Sequence, residues 1–134
     1  MQLDITVWSG RFELGDTEFS HITTNVIIRK LFQTIAENVN ARPVAHIGHI
    51  KGFCTGIKND YLKISFVSAS GGVDFSGTWR HKPDTAELRL NVIVLGFPRK
   101  DLIKVIHGAI KKIEPFCTVN TVADPDRSPF LVIT

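Results

Sequence analysis

Residue types able to hold a metal or an anion are concentrated in one stretch, His46-Ile47-Gly48-His49-Ile50-Lys51-Gly52-Phe53-Cys54. Imidazole and thiolate are the side chains that ligate zinc and similar metals. His46, His49 and Lys51 would equally suit the edge of a ligand pocket between a sheet and its helices. On a regular strand, alternate residues point to opposite faces, so His46 and Cys54 would share one face and His49 would take the other. The three converge only if the strand bulges near Gly48; otherwise they are ordinary sheet histidines and a buried thiol.

A second group is cationic. Lys100, Lys104, His107 and Lys111 are spaced by four, three and four, which lines them along one side of a helix, with Arg99 and Lys112 alongside. Lys100, Lys104 and Lys111 would meet an anion or an acidic partner. Single-strand binding also needs aromatic rings interleaved with the charges, and none interleaves in this stripe, which argues against nucleic acid as the partner. A solvated helix face is the ordinary explanation.

The remaining motifs are structural in character. Ser68-Ala69-Ser70-Gly71-Gly72 lacks the lysine and following helix of a phosphate loop and reads as a hairpin turn. Gly10, Gly48 and Gly52 read as bulges or close backbone approaches. His21, His81 and His107 are scattered. Neither Asp74 with His81 nor His49 with Cys54 brings a nucleophile, a base and a supporting group together, so no catalytic residue and no cofactor is assigned.

The elements that must position these residues follow from hydrophobic period. Leu3 to Leu14 has a strand pattern whose apolar phase changes at Ser9-Gly10, suggesting a central bulge. From Ser20 to Asn40, Ile28, Leu31, Phe32, Ile35 and Val39 fall on one helical face, with Asp16, Thr17 and Ser20 as candidate caps and Pro43 as a stop. Extended segments follow at Val44 to Cys54, Tyr61 to Ser68, Val73 to Trp79 and Glu87 to Gly96, and their short turns predict an antiparallel meander. After Pro98, Leu102, Val105, Ile106, Ala109, Ile110 and Ile113 form a second amphipathic face that ends in Lys111, Lys112 and Pro115. Phe130 to Ile133 reads as a short final edge strand. The order β-α-β-β-β-β-α-β predicts an α+β fold. It is a two-layer sandwich with a mainly antiparallel sheet of five or six strands and two helices on one face. The other face is left for a partner.

The 134 residues suit a single domain, 1–134, and the 43% hydrophobic and 22% charged content is that of a folded chain. The longest apolar runs, Val26 to Ile28 and Val92 to Leu95, are too short to span a bilayer, and no secretory pattern opens the chain, so a cytoplasmic, membrane-free location is expected. Two cysteines, Cys54 and Cys117, do not make a disulfide framework and are expected as buried thiols. A formal charge of +3 and a pI near 9.0 form too modest an excess to select a partner.

Taken in order, Ala45 to Phe53, Tyr61-Leu62-Lys63-Ile64-Ser65, Ala86 to Val92, Gly96-Phe97-Pro98 and a closing helix resemble the accessory region downstream of the GTPase domain in some CobW-like metallochaperone proteins. The likeness covers about Thr24 to Ile113, and the motif it carries over is His49-Ile50-Lys51. It implies a helper domain near metallocofactor delivery or corrinoid handling. The chain departs in lacking a Gly-x-x-x-x-Gly-Lys loop and a cysteine-rich metal motif, so neither GTP hydrolysis nor metal handover is implied. The expected function is a non-catalytic accessory or binding domain with a protein partner or self-association as a dimer. The alternatives are a small enzyme or ligand-binding protein built around His46, His49 and Lys51, and a weak nucleic-acid binder using Lys100, Lys104 and Lys111.

Overall fold

Each amphipathic segment becomes an element because its period matches that element's geometry. The structure is a computed structural model and describes residues 4–68 and 72–122. In chain order the elements are β1 (Ile5–Gly15), α1 (His21–Asn40), β2 (His46–Thr55), β3 (Tyr61–Ser68), β4 (Gly72–Thr78), β5 (Ala86–Leu95), α2 (Arg99–Ile113) and β6 (Thr118–Thr121). The last strand among the described residues is β6; the strand predicted at Phe130 to Ile133 lies outside the described residues.

Of the candidate caps, Ser20 starts α1: its hydroxyl accepts the Thr23 N–H at 3.1 Å and satisfies one of the first-turn donors. The helix closes at Ala41, ahead of Pro43. α2 begins after Pro98, with Asp101 in its first turn and Lys111 and Lys112 in its last, each of the sign the helix dipole favours.

The six strands form one antiparallel sheet in the order β4-β3-β2-β5-β1-β6. The predicted meander holds for β2, β3 and β4. β5 then leaves it, inserting between β2 and β1. β1 and β2 therefore run parallel to each other on either side of β5, joined by α1, and β5 and β6 flank β1, joined by α2. These are two interlocked split β-α-β units, the connectivity of ferredoxin-like domains, with β3 and β4 widening the sheet. The chain is thus an α+β sandwich.

Both helices pack on one sheet face. Ile28, Leu31, Phe32 and Ile35 of α1 and Leu102, Ile106 and Ala109 of α2 meet Ile50, Leu62, Ile64, Leu88, Leu90 and Val92 in one buried cluster. Burying each such large side chain contributes about 1.5–3 kcal/mol before entropy is counted. Gly52 lets α1 come this close, because a Cβ there would sit 2.9 Å from the ring tip of Phe32.

The bulge expected in β1 is absent. Its register to β5 runs without a shift from Ile5↔Leu95 to Leu14↔Ala86. The change of apolar phase has another cause: Ile5 and Val7 belong to the uncovered face, whereas Phe12 and Leu14 belong to the core. Gly10 serves to admit the ring of Trp8, which would lie 2.5 Å from a Cβ. The ladder between β2 and β5 does bulge, between Ile47 and His49. The β2–β3 hairpin turns through Lys58 and Asn59, both left-handed at φ 53° and 67°, as a type I′ turn requires.

Candidate functional site: the uncovered sheet face

The face turned away from the helices collects side chains from every strand. Cross-strand register arranges them in rows. One row runs Ile5, Leu95 and His46, and the next Val7, Ile93 and His49. The central row is Ser9, Asn91, Lys51, Ser65 and Asp74. Beyond it come Arg11, Arg89, Phe53, Lys63 and Ser76, and then Glu13, Glu87, Thr55, Tyr61 and Thr78. The face is therefore graded, apolar with two histidines at one end, polar and cationic in the middle, and acidic at the other end.

The bulge at Gly48 changes the fate of the predicted metal group. It inserts one residue between His46 and His49, so both histidines share the uncovered face. The same shift leaves Cys54 opposite Leu88 in the core. Histidines and thiol are on opposite sides of the sheet, so the three do not converge. Among the described residues no group of three or more His, Cys, Asp or Glu could hold a metal ion. His46 and His49 line a shallow cleft of about 270 Å³ with Asn40, Ile47, Gly48, Phe66 and Val67, and Lys51 stands outside it.

His49 is tied into a chain of hydrogen bonds that crosses three strands. The Ser9 hydroxyl donates to Oδ1 of Asn91 at 2.8 Å, and the Asn91 amide nitrogen lies 3.1 Å from Nε2 of His49. With that amide donating, His49 accepts at Nε2 and carries its proton on Nδ1. Burial and then the nearby Lys51 charge lower the His49 pKa from its ordinary value, so the ring is neutral at pH 7. Asn91 is fully buried, and an amide in that position must find partners on both its atoms.

In the next row Arg11 and Arg89 face each other directly. Two guanidiniums side by side repel, and Glu87 relieves part of this by accepting from Nε of Arg89 at 3.1 Å. Nε of Arg11 is buried and makes no hydrogen bond among the described residues. Phe53 follows in the row with the Tyr61 ring stacked against it, centroids 5.8 Å apart.

The other predicted residues lie apart. Lys100, Lys104 and Lys111 are exposed along α2, in the helix layer and so on the opposite side of the molecule from His46, His49 and Lys51. Burial, then Glu87, pushes the Cys54 thiol up to about 12; burial, then Glu114, takes Cys117 to about 11. Both are free, buried thiols. His81 has Asp60 as its partner rather than Asp74, at 3.0 Å. Asp60 also accepts the backbone N–H groups of Arg80 at 3.0 Å and His81 at 2.7 Å. Burial alone would raise the Asp60 pKa, but these donors together outweigh it and hold the carboxyl below its ordinary range.

Arg11, Arg89, Asn91, Phe53 and Lys63 escaped the reading of the sequence because they are far apart in the chain. Their signal is the non-core phase of each strand's alternation, which becomes a site only once strand order is known. In comparisons with family models, curated proteins and solved structures, no match to this chain was found. No helix among the described residues is long and apolar enough to cross a membrane.

Proposed function

We propose that the chain is a non-catalytic binding module whose protein partner, or second copy, docks on the apolar end of the uncovered sheet face. The observation that carries this reading is the exposure of Ile5. It is 68% exposed, at the head of rows that continue through Val7, Ile93 and Leu95 with no helix above them among the described residues. Exposed apolar surface of this kind marks interaction sites. The hydrogen-bond chain beside it supports binding over catalysis, since the Asn91 amide separates Ser9 from His49 and the hydroxyl donates to an amide oxygen instead of an imidazole base.

The likeness of His49-Ile50-Lys51 to the CobW-like accessory regions supports a partner engaged in metallocofactor or corrinoid handling. In that reading, His46 supplies a ligand to a site that the partner completes, and His49 joins it by giving up the hydrogen bond that its Nε2 accepts from Asn91. Native mass spectrometry of the purified protein tests both statements. A dimer or bound partner is expected, lost in Ile5→Glu and retained in Lys104→Glu/Lys111→Glu. Added zinc is expected to bind more tightly in the complex than to the lone chain, and His46→Ala/His49→Ala should remove the difference. A complex that survives Ile5→Glu, a chain that is always monomeric and bare, or a turnover abolished by His49→Ala would each overturn the reading.

A further inference from the structure

The cationic half of the same face calls for a different occupant, and we infer that it binds a single-stranded nucleic acid. The inference goes beyond the protein-docking reading, because it uses other rows of the sheet. Arg11, Arg89, Phe53 and Lys63 stand side by side on four neighbouring strands. Strand spacing puts roughly 14 Å between the first and the last, the reach of two or three nucleotides.

Within that row there is no carboxylate. The carboxylates of the rows described above, Glu13, Glu87 and Asp74, stand on either side, and Glu87 accepts from Arg89 of the row. Arg11 faces a like charge, and its buried Nε lacks an acceptor among the described residues. A phosphate lying along the row would screen the Arg11–Arg89 repulsion.

A phosphate alone does not need aromatic neighbours, whereas unpaired bases do. Phe53 is half-buried within the row, and the Tyr61 ring stacked on it is 36% exposed. Rings set among cations on a flat sheet are the arrangement that takes stacked bases along a tracked backbone. A duplex keeps its bases out of reach of such rings. The expectation against nucleic acid came from the α2 stripe, where no ring stands among the lysines; the sheet face supplies the rings.

The experiment is fluorescence anisotropy of the full chain with labelled oligo-dT and oligo-U of roughly ten nucleotides, the matching duplex and a poly-glutamate peptide, at salt from about 50 to about 300 mM. Single strands are expected to bind better than duplex or peptide, with log K falling against log salt at a slope of about −2 for three phosphates. Arg11→Ala and Lys63→Ala should each weaken binding and flatten the slope by about 0.7. Phe53→Ala should cost roughly five- to a hundredfold at unchanged slope, and Phe53→Trp should keep most of the affinity. Lys104→Ala/Lys111→Ala should change nothing, and thermal midpoints check that every variant is folded. No binding, equal binding of duplex or poly-glutamate, a flat salt response, or loss in the α2 variant would overturn the inference. Ile5→Glu separates the two proposals: binding of the oligonucleotide should survive it even as the protein complex is lost.

Discussion

Asp60 illustrates how one carboxylate can join parts of a chain that no local pattern links. It follows the β2–β3 turn, is buried, and takes three donors from Arg80 and His81 at the end of β4. Because its pKa is lower folded than unfolded, its contribution to stability is present above the unfolded value near 4 and is lost as pH falls through the folded value. Thermal unfolding from about pH 2 to about pH 7 should therefore show an acid-side loss that Asp60→Asn diminishes, while lowering stability at neutral pH. The cysteines give a second residue-scale expectation. With thiols pushed up to about 12 and about 11, a water-soluble thiol reagent at pH 8 should label neither Cys54 nor Cys117 until denaturant is added. Rapid labelling of the native chain would show that one of them is reached by solvent.

At the scale of elements, the contact between α1 and β2 depends on a missing side chain. Gly52→Ala must push against Phe32 at 2.9 Å and the Arg89 carbonyl at 3.3 Å, so it should destabilise the chain by about 1–3 kcal/mol in denaturant unfolding. Phe32→Leu in the same chain should recover part of that loss, because the clash is with the ring tip. Gly48 works differently, since it is the inserted residue of the bulge that returns Ile50 to the core and leaves both histidines on the uncovered face. The turn at Lys58-Asn59 holds two non-glycine residues at positive φ. Lys58→Asn/Asn59→Gly should stabilise the hairpin by about 0.5–1 kcal/mol, read as a higher denaturant midpoint.

For the whole molecule, β5 is the strand on which the sheet turns. It is bonded on both sides, to β1 and β2, while β4 and β6 lie at the two edges. Amide hydrogen exchange should be slowest in β5 and the facing parts of β1 and β2, and fastest in β4 and β6. Protection of β4 as strong as that of β5 would mean that the edge is covered by another chain. The same placement makes folding depend on non-local pairing, since β1 cannot enter the sheet until β5 has been formed.

The order of elements, both helix faces and the segments of β1 to β5 were legible in the residues, because periods of two and of 3.6 are local properties of the backbone; the segment of β6 was not. The bulge near Gly48 was legible as a possibility, but as one that would bring His46, His49 and Cys54 together, whereas it unites the two histidines and leaves Cys54 in the core. The place of β5, the continuity of β1 and the composition of the uncovered face were not. Ser9 meets Asn91 across 82 residues, and Arg11 meets Arg89 on the same pair of strands. Such neighbours are chosen by which ladder satisfies the most backbone and buries the most apolar surface, a competition among distant segments that only the folded chain resolves.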